Sequence, residues 1–65
     1  MQITVNGTPR ALDATTLAEA LVELGYGEAR VATALNEGFI PAPARAATPL
    51  KDGDRLEVVA PMQGG

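Results

Sequence analysis

The sequence contains no cysteine, no histidine, no serine and no tryptophan. Without cysteine there is neither a disulfide framework nor a thiolate metal site. Without cysteine, histidine or serine the usual pairs of nucleophile and base cannot be assembled, so the chain is not expected to be an enzyme in its own right. Aromatic residues are limited to Tyr26 and Phe39, too few for a base-stacking surface. No apolar run approaches the roughly 20 residues of a membrane-spanning helix. The opening MQITVNG has neither the basic start nor the apolar stretch of a secretory signal, which makes the cytoplasm the expected location.

What is present bounds the answer further. The 65 residues allow one small domain, in which a deep pocket would compete with the core for volume. A hydrophobic content of 46% is enough for a globular fold and argues against disorder. The net charge is −3, with acidic residues spread from Asp13 to Glu57. That balance disfavours nucleic acid, whose phosphates need a basic stripe, and mildly favours a basic protein partner.

Element by element, QITVN alternates with Ile3 and Val5 on one face, the pattern of a half-buried strand. Asn6-Gly7 is the strongest short hairpin signal. The return strand, roughly 8–12, contains Pro9, which cannot donate to a ladder, so an edge position is expected. Its register is open, because Ala11 and Leu12 are adjacent and cannot both face inward. In TLAEALVELG, Thr16 and Glu19 form a capping box, Leu17, Ala20, Leu21 and Leu24 make an apolar stripe, and Gly25 is a left-handed stop. Glu19 and Glu23 lie outside the stripe and read as a solvated face.

VATALN, residues 31–36, reads as a buried strand, and Asn36 to Gly38 as a turn. Phe39-Ile40 gives a short strand closed by Pro41. The stretch 41–49 is a proline-rich connection with one helical turn around Arg45 to Ala47. KDGD is a turn in which Gly53 takes positive φ, and its spacing does not match a calcium loop, so no metal site is expected. RLEVVA is the last strand, with Leu56, Val58 and Ala60 alternating inward. The expected fold is α+β: a mixed sheet of four or five strands wrapped around one helix over residues 1–60. If the first and last strands pair in parallel, the last strand is central.

The last five residues, 61–65, are expected to be a flexible tail. They carry no charged side chain, and fully extended they span about 17 Å, enough to reach into another enzyme's active site. Gly64 and Gly65 lack Cβ, so they can pass a narrow channel and leave the final carbonyl unhindered.

MQITVNG, TLAE, ALNEGFIP, DGDRLEVV and the closing GG together resemble the ubiquitin-like β-grasp sulfur carriers, most closely the thiamine-biosynthesis (ThiS) family, over the whole chain. The chain departs from the pattern after Pro41, where many relatives have a basic residue and Ala42 stands here. The resemblance implies that a ubiquitin-activating-like adenylyltransferase uses ATP and Mg2+ to adenylate the Gly65 carboxylate. A persulfide donor then displaces AMP, and the resulting thiocarboxylate delivers sulfur to thiazole synthase. Gly64 and Gln63 would thread the partner, while Met62, Pro61 and Phe39 would form the surface around the tail's base. The free protein is expected to be a monomer with no cofactor of its own. Other readings are the small subunit of molybdopterin synthase, a ubiquitin-like modifier joined to lysines, and a plain binding module with no covalent chemistry.

Overall fold

The computed structural model describes residues 1–60. The expectations for Pro61, Met62, Gln63, Gly64 and Gly65 therefore lie outside the described residues, as does the boundary of the tail.

The chain runs through β1 (Gln2–Val5), β2 (Thr8–Ala11), α1 (Leu17–Glu23), β3 (Ala32–Leu35), β4 (Gly38–Ile40), a 3-10 helix (Ala42–Ala47) and β5 (Arg55–Val59). The five strands form one mixed sheet in the order β2-β1-β5-β3-β4. The last strand is central: β5 runs parallel to β1 and antiparallel to β3. β2, with its proline, is an edge strand, as Pro9 requires. The open register resolves with Ile3 opposite Arg10 and Val5 opposite Thr8, and all four residues of β2 exposed. Leu12 enters the core only after the strand has ended.

The helix begins as its sequence dictates. Thr16 Oγ1 accepts from the Glu19 amide at 3.2 Å, and Glu19 Oε1 accepts from the Thr16 amide at 3.3 Å. Glu19 also takes the amide and hydroxyl of Thr15. At the other end Gly25 has φ +95 and stops the helix. Leu17, Ala20 and Leu21 are buried against Ile3, Val5, Leu56 and Val58, with Leu24 half-buried at the margin. The solvated reading of the two glutamates is incomplete. Glu23 is exposed, yet its carboxylate accepts the amides of Asp13 and Ala14 at 2.9–3.1 Å and ties the loop before the helix to the helix's last turn.

Within residues 31–36 the strand is Ala32–Leu35, and it is less buried than its apolar composition suggests. Thr33 is fully buried, Ala34 and Leu35 are half-buried, and Ala32 is exposed. One helix covers one face of the sheet, so alternate residues of every strand are left on the open face. The helical turn in the connection starts three residues earlier than expected, at Ala42.

Two asparagines hold β5. Both hairpin turns open with a left-handed asparagine, Asn6 at φ 51 and Asn36 at φ 50. The Asn6 amide donates to Leu56 O at 2.9 Å. Its side chain then bonds Val58 twice: Oδ1 accepts from the Val58 amide at 2.8 Å, and Nδ2 donates to the Val58 carbonyl at 3.1 Å. Asn36 acts at the start of the strand. Its amide donates to Arg55 O at 2.8 Å, and its Oδ1 accepts from the Arg55 amide at 2.9 Å. Its Nδ2 donates to Oδ1 of Asp54 at 3.0 Å.

Asp54 is 5% exposed. Burial alone pushes its carboxyl up, but the hydrogen bonds from Asn36 and the Lys51 amide, with the Lys51 charge, outweigh it and hold the group below its ordinary value. Glu19 is lowered too, first by the Thr15 amide, then by the Thr15 hydroxyl and the Thr16 amide.

Truncating Leu21 to Ala is expected to cost about 2–5 kcal/mol in a denaturant titration. An unchanged midpoint would contradict its place in the core. The two depressed carboxyls set an acid limit. Their contribution is fully present above the ordinary carboxyl value of about pH 4 and is lost as pH falls through the lower folded-state values. Asp54→Asn should be less stable at neutral pH and lose melting temperature less steeply on acidification than the parent. Parallel curves would remove Asp54 from this role.

Candidate functional site

The site expected from the sequence lies at the end of β5, where the chain runs on towards residue 61. Pairing between β3 and β5 extends from Leu35–Leu56 to Ala32–Val59. Leu56 and Val58 face the helix and are buried, while Val59 is 63% exposed on the opposite face. Ala60 was expected to continue the inward alternation, and it does not: it is exposed. The ladder stops at Val59, and beyond the last paired residue no pleat dictates which way a side chain points.

Phe39 is 69% exposed. It sits opposite Ala34 across the β3–β4 pair, on the same open face as Ala32 and Val59. It has no place in the core. Glu57 and Arg55 on β5 share that face, and Arg55 lies 3.9 Å from Glu37, both well exposed. The open face thus presents apolar residues on β4, β3 and the end of β5, beside charged residues earlier on β5. An exposed aromatic beside other apolar residues makes this part of the face more apolar than an ordinary solvated surface.

Around the edge from Val59 lies a groove of about 570 Å³, lined chiefly by Val31, Ala32, Ala42, Arg45 and Val59. Arg45, from the 3-10 helix, forms part of its wall. Its Nε donates to Thr33 Oγ1 at 3.1 Å, and its Nη2 donates to the Val31 carbonyl at 2.6 Å. Thr33 Oγ1 in turn donates to the Ile40 carbonyl at 2.9 Å. The guanidinium is thus held by two neutral oxygens at the wall of the groove. Sequence reasoning missed Arg45 and Thr33. The only signal was a lone cation in an alanine- and proline-rich connection, and a threonine among apolar residues.

Among the described residues no group of three or more His, Cys, Asp or Glu is placed to hold a metal ion. No helix among them is long and apolar enough to cross a membrane. The described part of the site holds contact groups and no nucleophile paired with a base.

Comparison with known proteins agrees on one family. The model of the ThiS family matches residues 3–65. The sulfur carrier protein ThiS of Thermus thermophilus is 48% identical over 61 residues, covering 94% of this chain and 95% of that protein. A thiazole synthase of Paramagnetospirillum magneticum is 38% identical over 66 aligned residues, which take in all of this chain but 20% of that protein. This chain thus spans about a fifth of that relative's length. A crystal structure of a thiamine biosynthesis protein (ThiS) from Geobacter metallireducens superposes with a TM-score of 0.83 at 36% identity, each chain covered completely. A solution structure of a thiamine biosynthesis protein from the same organism gives 0.80 at 35%, with 100% of this chain and 88% of that one covered.

Two substitutions separate surface from scaffold. Phe39→Ser is expected to leave the unfolding free energy within about 0.5 kcal/mol of the parent, because an exposed side chain has no core contact to lose. Thr33→Val should cost about 1–3 kcal/mol, since it strips the Ile40 carbonyl and the Arg45 Nε of a partner in a buried setting. Chemical denaturation measures both, and equal losses would refute the assignment.

Proposed function

The chain belongs to the ThiS family, and from that premise we propose that it is a sulfur carrier of thiamine biosynthesis whose reactive atom is the carboxyl carbon of Gly65. The observation that carries the reading is the 48% identity, over nearly the whole of both chains, to a sulfur carrier protein.

The chemistry fits what the residues allow. A carboxylate is a poor electrophile because it has no good leaving group. Adenylation by an activating partner, with ATP and Mg2+, supplies one. The terminal sulfur of a partner's persulfide attacks the acyl carbon and AMP departs. Cleavage of the remaining S–S bond by a thiol leaves a thiocarboxylate on Gly65. Every internal side chain is unsuited to hold the sulfur: there is no cysteine, and the methionines are thioethers. The protein is therefore a co-substrate, and the catalysts are its partners. Gly64 and Gln63 pass the partner's channel; Phe39, with Pro61 and Met62, meets its surface. The reaction belongs in the cytoplasm, where ATP is at hand.

Thiazole synthase is the proposed receiver of the sulfur. The support is the Paramagnetospirillum magneticum thiazole synthase, which carries within one polypeptide a segment like this entire chain. Joining donor and acceptor raises their effective concentration, an advantage only if the two must meet.

Incubation with the activating enzyme, ATP, Mg2+ and a sulfur source should exchange one oxygen for one sulfur at the C-terminus, read by intact-protein and fragment mass spectrometry. Deleting Gly65 should leave the melting temperature unchanged and abolish loading. Gly64→Val should fold normally and load poorly, since a β-branched side chain narrows the backbone angles and obstructs a channel. Sulfur on an internal residue, or on the Gly65 deletion, would end the carrier reading.

A further inference from the structure

We propose that Asn6 is a positioning residue for sulfur loading: its carboxamide fixes the end of β5 from which the acceptor glycine is presented. The inference rests on the carrier reading above.

β1 pairs with β5 in the register Thr4–Arg55 and Val5–Leu56. At Asn6 the main chain turns away, with positive φ at Asn6 and Gly7, and runs back as β2. The Asn6 amide still reaches Leu56 O, and there the supply of main-chain partners from β1 ends. Val58 lies two residues further along β5, with its amide and carbonyl on the same edge. A parallel ladder would leave both without a strand partner. The Asn6 side chain supplies what the backbone no longer can, with one acceptor at 2.8 Å and one donor at 3.1 Å. A carboxamide has the same donor and acceptor as a peptide unit, so Asn6 acts as one more rung of β1. On the opposite edge β3 pairs as far as Val59. With both edges satisfied, β5 is held to within two residues of Pro61.

Asn36 is the built-in control. It is also left-handed, it also makes two bonds with one residue of β5, and it unpins a buried carboxylate if lost. It acts at Arg55, the end of β5 remote from the tail. Loss of either carboxamide weakens the fold, but only loss of Asn6 frees the root of the tail. A released residue must be ordered again when the tail docks, which is worth about tenfold in an equilibrium constant.

The test compares Asn6→Gly and Asn36→Gly with the parent. Glycine keeps the positive φ of each turn. All three are assayed at a temperature where circular dichroism shows them equally folded. The expected result is a KM for loading raised about tenfold in Asn6→Gly, with kcat within about twofold of the parent. Hydrogen exchange at the Val58 amide should accelerate in the same variant. Asn36→Gly should lose at least as much melting temperature and keep the parent's KM. Asn6→Asp retains an acceptor for the Val58 amide but sets a carboxylate oxygen in place of the donor to the Val58 carbonyl, so its KM should also rise above the parent's; it serves if the glycine variant does not fold. A parent-like KM in the Asn6 variants, or equal rises in the Asn6 and Asn36 variants, overturns the positioning role and leaves the carrier reading standing. A parent that never acquires sulfur overturns both.

Discussion

The fold depends on satisfying the peptide groups of its last strand. β5 lies between β1 and β3, so its amides and carbonyls are cut off from water on both edges and each needs a partner. Neither neighbour is long enough to supply them all, because each ends in a tight reversal to its own edge strand. The two left-handed asparagines solve this at the turns themselves, with Asn6 on one edge and Asn36 on the other. The turn chemistry and the completion of the sheet are thus one requirement. Glycine would meet the backbone geometry at either position and leave β5 short of partners.

A second constraint follows from size. A single seven-residue helix covers one face of a five-stranded sheet and no more. Ile3, Val5, Leu56 and Val58 go under it, and the alternate residues stay outside. What the inner face needs for stability the outer face is free to spend on contact. Phe39 and Val59 are exposed because no second layer covers them among the described residues, and they share a sheet face with Ala32 and Ala34. The 3-10 helix fills the corner between helix and sheet, and Arg45 ties it to β3.

Much of this could be read from the sequence, for local reasons. The capping box, the glycine stop, the Asn-Gly turn and the alternation of β1 and β5 are each set by a few adjacent residues. The parallel pairing of β1 with β5 stands in the sequence only as a condition, and the register Thr4–Arg55 and Val5–Leu56 meets it. What escaped was whatever depends on residues far apart in the chain. Asn6 read as a turn residue, since nothing nearby says that its side chain meets Val58, 52 positions on. Thr33 and Asp54 are polar residues inside the domain, buried because Arg45 and Asn36 reach them from other elements. Phe39 sits on a three-residue strand too short to fix its own face, and only the register with β3 decides. Ala60 was misplaced by extending an alternation past its last paired residue.

The main-chain amino group of Met1 donates to the Leu12 carbonyl at 2.8 Å, so the first strand is anchored from its very first atom. Because β1 and β5 run parallel, that atom and the exit at Ala60 lie at opposite poles of the sheet. The described domain has a blunt pole at Met1 and an exit pole at Ala60. An affinity handle or a second domain joined ahead of Met1 emerges at the blunt one, and the peptide nitrogen formed by the fusion keeps a hydrogen to give to Leu12. Cargo can therefore be hung on this molecule, or the molecule hung on a surface, at the pole opposite Ala60.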